Sequence, residues 1–194
     1  MAYQSLREFL DQLEAEGDLV RVTTPVSTEL EMTEIHKRTL HAGGPAILFE
    51  NVINERGEKS EMPCLVNLFG TVKRVAQAVT LGGQARTTGA ELREVGELLA
   101  FLRQPEPPRG VKDAMALLPL AKTVMSMRPK TVKKAPCQEV VLTGDEIDLD
   151  RLPIQTCWPG EPAPLITWPL VVTKGPSDAT QDDFNLGIYR IQKL

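Results

Sequence analysis

Near the start of the chain, apolar residues recur at Leu6, Phe9, Leu10 and Leu13, the spacing of one face of a helix. Ser5 and Glu8 read as a capping box ahead of that face, and Gly17 as its stop. A strand is expected over Leu19–Val26. Thr28 and Glu31 then read as a second capping box, opening a helix that runs to about Ala42, before Gly43-Gly44. Two apolar runs, Ala46–Val52 and Pro63–Phe69, flank a polar turn containing Gly57 and predict a pair of strands. Helices are expected from Thr71 to about Leu81, ended by Gly82-Gly83, and from Thr88 through Leu102. The stretch Gln104–Gly110 is too proline-rich to be helical, and a shorter helix is expected over 111–124.

The pattern changes near residue 126. Met125–Pro136 is basic and proline-bounded, and β-branched, proline-rich segments follow: Gln138–Leu142, Leu165–Thr173 and Asn185–Leu194. The expected organisation is an α/β unit over 1–125, a linker over 126–136 and a β-rich unit over 137–194. The last strand of that unit has no evident partner, an edge that invites pairing.

Bulk properties narrow the function. The chain has 194 residues, 42% of them hydrophobic, and a net charge of −4. That balance argues against a nucleic-acid footprint. The basic stretch Arg128, Lys130, Lys133 and Lys134 lacks interleaved aromatics and reads as a solvated linker. No apolar run is long enough for a membrane span, and the N-terminus has no secretion signal. Cys64, Cys137 and Cys157 are odd in number and without metal spacing, so buried, reduced thiols in a cytoplasmic protein are expected. His36 and His41 are five apart and do not share a face as ligands four apart would. The acidic run Gly144–Asp150 lacks the glycine and glutamate of a calcium loop and reads as a turn leading into a short helical segment.

Two stretches carry candidate chemistry. Trp158 and Trp168 sit among prolines, which fits either a rigid aromatic pocket wall or core packing. In Asn185–Arg190 an arginine follows an apolar strand pattern. Burying it is expensive unless it is paired or faces a ligand, and its planar fork suits a carboxylate or phosphate. The amide oxygen of Asn185 suits a hard metal ion. The two residues are five apart, so a turn or bulge must intervene if both serve one site. An arginine paired to an internal acid remains the alternative.

Several longer motifs occur in order: Leu40–Asn51 (LHAGGPAILFEN), Asn67–Arg74 (NLFGTVKR), Leu92–Leu102 (LREVGELLAFL), Pro105–Pro108, Ala135–Cys137, Gln155–Pro159 (QTCWP), Ala163–Trp168 (APLITW) and Asn185–Arg190 (NLGIYR). On these, the chain resembles the UbiD family of decarboxylases essentially end to end, most closely the members that act on 3-polyprenyl-4-hydroxybenzoate in ubiquinone biosynthesis. The resemblance implies an N-terminal α/β domain followed by the first strands of a flavin-reductase-like split β-barrel. It implies non-oxidative decarboxylation with prenylated FMN, Mn²⁺ and often K⁺. Asn185 would bind the metal, Ile188, Tyr189 and Arg190 would line the cofactor, and Arg190 would be the catalytic arginine. A flavin prenyltransferase would supply the cofactor to a homo-oligomer that touches the inner membrane peripherally. The family's metal-binding histidine and glutamate and its catalytic glutamates have no counterpart here, so these residues are expected to be an N-terminal fragment, inactive alone. The loop Gly160–Ala163 departs from relatives, which show an acid followed by small residues. The other readings are a dimerising module without catalysis, and a relative acting on another aromatic or α,β-unsaturated acid.

Overall fold

The first helix, α1 (Leu6–Ala15), begins where Ser5 accepts a hydrogen bond from the Glu8 N–H, and Gly17 follows it with φ of 74°. Phe9 and Leu13 bury its apolar face, while Leu6 in the first turn stays 54% exposed. The computed structural model describes residues 3, 5–79, 90–104, 110, 115, 125, 132–176 and 184–194. Their contacts form two units, Met1–Glu91 with Asp148–Leu194, and Leu92–Ile147.

The first unit is built on a three-stranded sheet. β1 (Leu19–Val22) lies parallel to β3 (Ala46–Phe49), and β3 pairs antiparallel with β5 (Cys64–Val66). β2 (Val26–Ser27) pairs in parallel with β4 (Val52–Ile53). β3 is buried along its whole length because both faces of the sheet are covered. On one face Leu19, Ala46 and Leu48 pack with Phe9 and Leu13 of α1 and with Ala78 of α3 (Val72–Val79). On the other, Ile47, Phe49 and Val66 pack with Met32 and Ile35 of α2 (Glu31–His41).

The expected strand Leu19–Val26 is interrupted ahead of β2, at Thr23–Pro25, where proline cannot donate to a ladder. The expected capping box of α2 is also corrected. Its N-cap is Leu30, with φ of 62°, and no side chain caps the helix. Tertiary pairing decides this: Leu30 N–H donates to the Thr156 carbonyl at 2.9 Å, and Thr156 N–H donates to the Thr28 carbonyl at 3.1 Å. Thr28 is thereby turned into the interior, where its hydroxyl has no hydrogen-bond partner among the described residues. Glu31 reaches back instead to the Ser27 N–H at 2.7 Å.

Asp148–Leu194 completes this unit. β7 (Leu170–Lys174) and β8 (Phe184–Ile188) form an antiparallel ribbon, and β6 (Leu165–Ile166) pairs antiparallel with β9 (Ile191–Gln192). The expected strand Leu165–Thr173 is therefore two strands broken at Thr167–Pro169, and Asn185–Leu194 breaks at Tyr189-Arg190.

In the second unit, α4 (Ala90–Arg103) matches the expected helix. Gln138–Leu142 is not a strand. Pro136–Gln138 forms a 3₁₀ turn, Val140 and Val141 are exposed, and no strand among the described residues pairs with them. The acidic run is turn-like as expected, with a 3₁₀ turn at Gly144–Glu146 in this unit and another at Leu149–Arg151 in the first. The end of α3 at Gly82-Gly83 and nearly all of the helix expected over 111–124 lie outside the described residues.

Candidate functional site

β8 places Asn185 opposite Thr173, Gly187 opposite Val171 and Ile188 opposite Leu170. Alternation puts Asn185 and Gly187 on one face and Leu186 and Ile188 on the other. The ring of Tyr189 lies back over Gly187, where a Cβ would come within 2.2 Å of Tyr189 Cε2. A side chain at that point would have to displace the exposed Tyr189 ring; the backbone conformation itself does not call for glycine.

After Ile188 the ladder stops. The Tyr189 N–H donates to the Pro169 carbonyl at 3.3 Å, Arg190 follows, and the chain leaves the ribbon for the β6–β9 ladder. This break is the interruption that Asn185 and Arg190 need if they are to face one site. Arg190 is exposed, and no carboxylate among the described residues pairs with it. The alternative of an arginine neutralised by an internal acid is thus not realised among those residues. Asn185, Ile188 and Tyr189 are exposed as well. Lys193, three residues on, is tied to Asp150, which also holds Arg56.

The two tryptophans are not core residues. Trp158 is 57% and Trp168 62% exposed. Trp168 pairs with Phe69, ring centroids 5.8 Å apart and planes tilted by 45°. The loop before it is closed by a carboxylate that sequence reasoning treated only as a departure from relatives. Glu161 accepts the Cys157 N–H at 2.7 Å and the Trp158 N–H at 3.2 Å. An acid three or four residues after an N–H donor in a Pro-Gly turn is a signal that could have found it.

His36 is half-buried and His41 exposed on α2, and no group of three metal-ligating side chains occurs among the described residues. Burial holds the His36 pKa below the usual histidine value. Cys64 is half-buried and Cys157 buried, and burial pushes both thiols up. Cys137 is exposed, against the expectation that all three are buried. An open groove of about 1010 Å³ between α1 and the sheet, lined by Leu6, Leu10, Leu48 and Leu65 with Arg7 and Glu61 at its edge, contains none of the residues of the β8 segment.

Residues 10–99 match the 3-octaprenyl-4-hydroxybenzoate carboxy-lyase N-terminal domain, and residues 130–194 match the Rift-related domain of the same enzyme. The chain belongs to the UbiD family. Among solved structures it is similar to the vanillic acid decarboxylase of Sedimentibacter hydroxybenzoicus in its open form, with a TM-score of 0.72 and 25% identity, covering 100% of this chain and 35% of that one. It is also similar to the UbiD-class enzyme HmfF of Pelotomaculum thermopropionicum in complex with FMN, with a TM-score of 0.64 and 24% identity, covering 96% of this chain and 34% of that one. An evolved dimeric form of HmfF in complex with prFMN matches with a TM-score of 0.62 and 25% identity over 98% of this chain and 36% of that one. The chain thus spans little more than a third of the length of these relatives.

Proposed function

We propose that these residues form the arginine-bearing part of a prenylated-FMN-dependent decarboxylase that releases CO₂ from an aromatic acid without oxidation. The observation that carries this reading is Arg190, exposed and without a carboxylate partner among the described residues, directly after the break in β8. A guanidinium left open at a strand break can take a substrate carboxylate through two parallel hydrogen bonds. The substrate we favour is 3-polyprenyl-4-hydroxybenzoate, on the strength of the ordered motifs and the domain matches. The vanillic acid enzyme among the similar structures keeps another aromatic acid as the second choice.

Ile188 and Tyr189, both exposed, would line the flavin. When bound, the prenylated flavin supplies the electron sink that decarboxylation requires. Arg190 would hold the carboxylate against it, contributing position and charge complementarity. Asn185 fits Mn²⁺ as a single neutral oxygen donor, and K⁺ would accompany it. The described residues hold no group of three ligating side chains. The metal therefore needs donors beyond these. A split barrel, supply of the cofactor by a flavin prenyltransferase, a homo-oligomer, and a cytoplasmic location with peripheral contact at the inner membrane belong to the same reading. No described helix is long and apolar enough to cross a membrane.

A second reading, a dimerising module without catalysis, is favoured by the ribbon itself, on which Leu170, Val172, Leu186 and Ile188 are all exposed.

The test is to express the chain with a flavin prenyltransferase and Mn²⁺, then read bound flavin by absorbance and CO₂ release from 4-hydroxybenzoate derivatives. Flavin and CO₂ release in a chain extended to supply the remaining ligands and a proton-donating carboxylate, and the loss of both from its Arg190→Ala variant, is the expected result. Equal flavin and equal turnover in both proteins would remove Arg190 from the site.

A further inference from the structure

The Asn67–Arg74 motif lies on the α/β side of the first unit, and nothing above gives it a role. Its residues build one object. Asn67 has φ of 58°, in the left-handed region, and the Gly70 N–H closes a turn onto the Asn67 carbonyl at 3.2 Å. Position 70 admits only glycine, since a Cβ there would fall 1.8 Å from Asn67 Oδ1. Arg74, 1% exposed, clamps the turn from inside: its Nε donates to the Leu68 carbonyl at 3.0 Å, and one terminal nitrogen donates to the carbonyls of Asn67 and Gly44 at 3.0 Å each. Asn67 Nδ2 adds bonds to the Gly44 and Pro45 carbonyls.

A buried guanidinium spent on three backbone carbonyls fixes those carbonyls closely. The residue that follows Asn67 and Leu68 in the turn, Phe69, is itself 42% exposed. Its ring meets Trp168 at 5.8 Å. Trp168 is bonded to Pro169, whose φ is restricted by its ring and whose carbonyl receives the Tyr189 N–H. That bond is 3.3 Å long, beyond the usual range for such a pair, so a small displacement of Pro169 would break it. Arg190 is the next residue.

We propose that Phe69, presented by the clamped Asn67–Gly70 turn, is a positioning residue for the Tyr189-Arg190 segment and acts through the Trp168 ring. The α/β part of the first unit then does more than fold: it sets where the open arginine stands. The proposal rests on the reading of Arg190 given above, but its primary test does not.

The test is amide hydrogen exchange on the 194-residue chain, followed residue by residue. An aromatic pair of this kind is worth enough that Phe69→Ala should speed exchange of the Tyr189 amide roughly threefold to tenfold. Exchange of Ile47 and Phe49 in the sheet should not change. Phe69→Tyr should restore the wild-type rate, and Phe69→Leu, which keeps bulk but not the ring, should behave as Phe69→Ala. Unchanged exchange at Tyr189 in Phe69→Ala overturns the proposal, as does wild-type behaviour of Phe69→Leu. Flavin affinity of the same variants should follow the exchange rates. An Arg190→Ala protein that holds flavin as the wild type does would overturn the reading of Arg190 alone, because exchange at Tyr189 does not require that side chain.

Discussion

Tyr189 lies over Gly187, two residues before it on β8, so closely that a Cβ at position 187 would stand 2.2 Å from Cε2, 2.8 Å from Cζ and 2.9 Å from the phenolic oxygen. Glycine weakens a strand interior, because it leaves a gap and loses more backbone freedom than other residues. Here the gap is filled by the aromatic ring.

Gly187→Ala is therefore expected to swing the Tyr189 ring off the strand while leaving the β7–β8 pairing intact, since alanine is compatible with a strand. If Tyr189 lines the flavin, affinity for the cofactor should fall about tenfold, close to 1.4 kcal/mol. Melting temperature should move by only a few degrees. Flavin titration together with the tyrosine ring resonances checks this. A displaced ring with unchanged affinity would take Tyr189 out of the site.

Arg74 offers a stability prediction. Its removal takes the guanidinium donor from the Leu68 carbonyl and leaves the Asn67 and Gly44 carbonyls with only the Gly70 N–H and Asn67 Nδ2. Arg74→Met should destabilise by about 2–5 kcal/mol. For a chain of this length that corresponds to roughly 5–15 °C in melting temperature. Arg74→Lys should not rescue it, because an ammonium cannot present the planar fork that reaches these carbonyls together. A lysine variant as stable as wild type in thermal denaturation would mean that the charge alone matters.

Acid sensitivity should trace in part to Glu16. Burial pushes its carboxyl up, but hydrogen bonds from Gln12, Gln77 and Lys73 outweigh that, and its pKa lies below the ordinary value. A carboxylate with a depressed folded pKa contributes stability above its unfolded pKa. The contribution is lost as pH falls through the folded value. Glu16→Gln should therefore flatten the loss of stability below about pH 4.5 and have little effect on its slope above. Urea midpoints measured between neutral and acid pH decide it, and parallel curves for the two proteins would exclude the Glu16 cluster.

The three cysteines should be ordered by reactivity. Cys137 is exposed, whereas Cys64 and Cys157 are shielded and their thiols pushed up by burial. Because the thiolate is the reactive form, a disulfide reagent at neutral pH should modify Cys137 first, with the others following only on denaturation. Peptide mapping after a short exposure reads this directly, and early labelling of Cys157 would contradict the packing of the Gln155–Cys157 segment against α2.

Local elements were legible from the chain alone. The face of α1, the stop at Gly17 and strands on both sides of the Gly57 turn follow from local spacing. The family motifs likewise fixed attention on Asn185–Arg190. What could not be read was any feature set by a residue distant in sequence. Thr28 has the right neighbours to cap α2, yet the ladder to Thr156 turned it inward and moved the cap to Leu30. Gln138–Leu142 has strand propensity but, among the described residues, no strand to pair with. Trp168 left a pocket wall and core packing equally open, and its contact with Phe69 joins positions 99 apart in the chain. Arg190 could be named from its motif, but whether an acid neutralised it depended on which side chains the fold brought near. Propensity and capping act over a few residues and are written in the sequence. Hydrogen-bond partners, ring contacts and the burial of a charge are decided only when separate segments meet, because their free energy belongs to the pair.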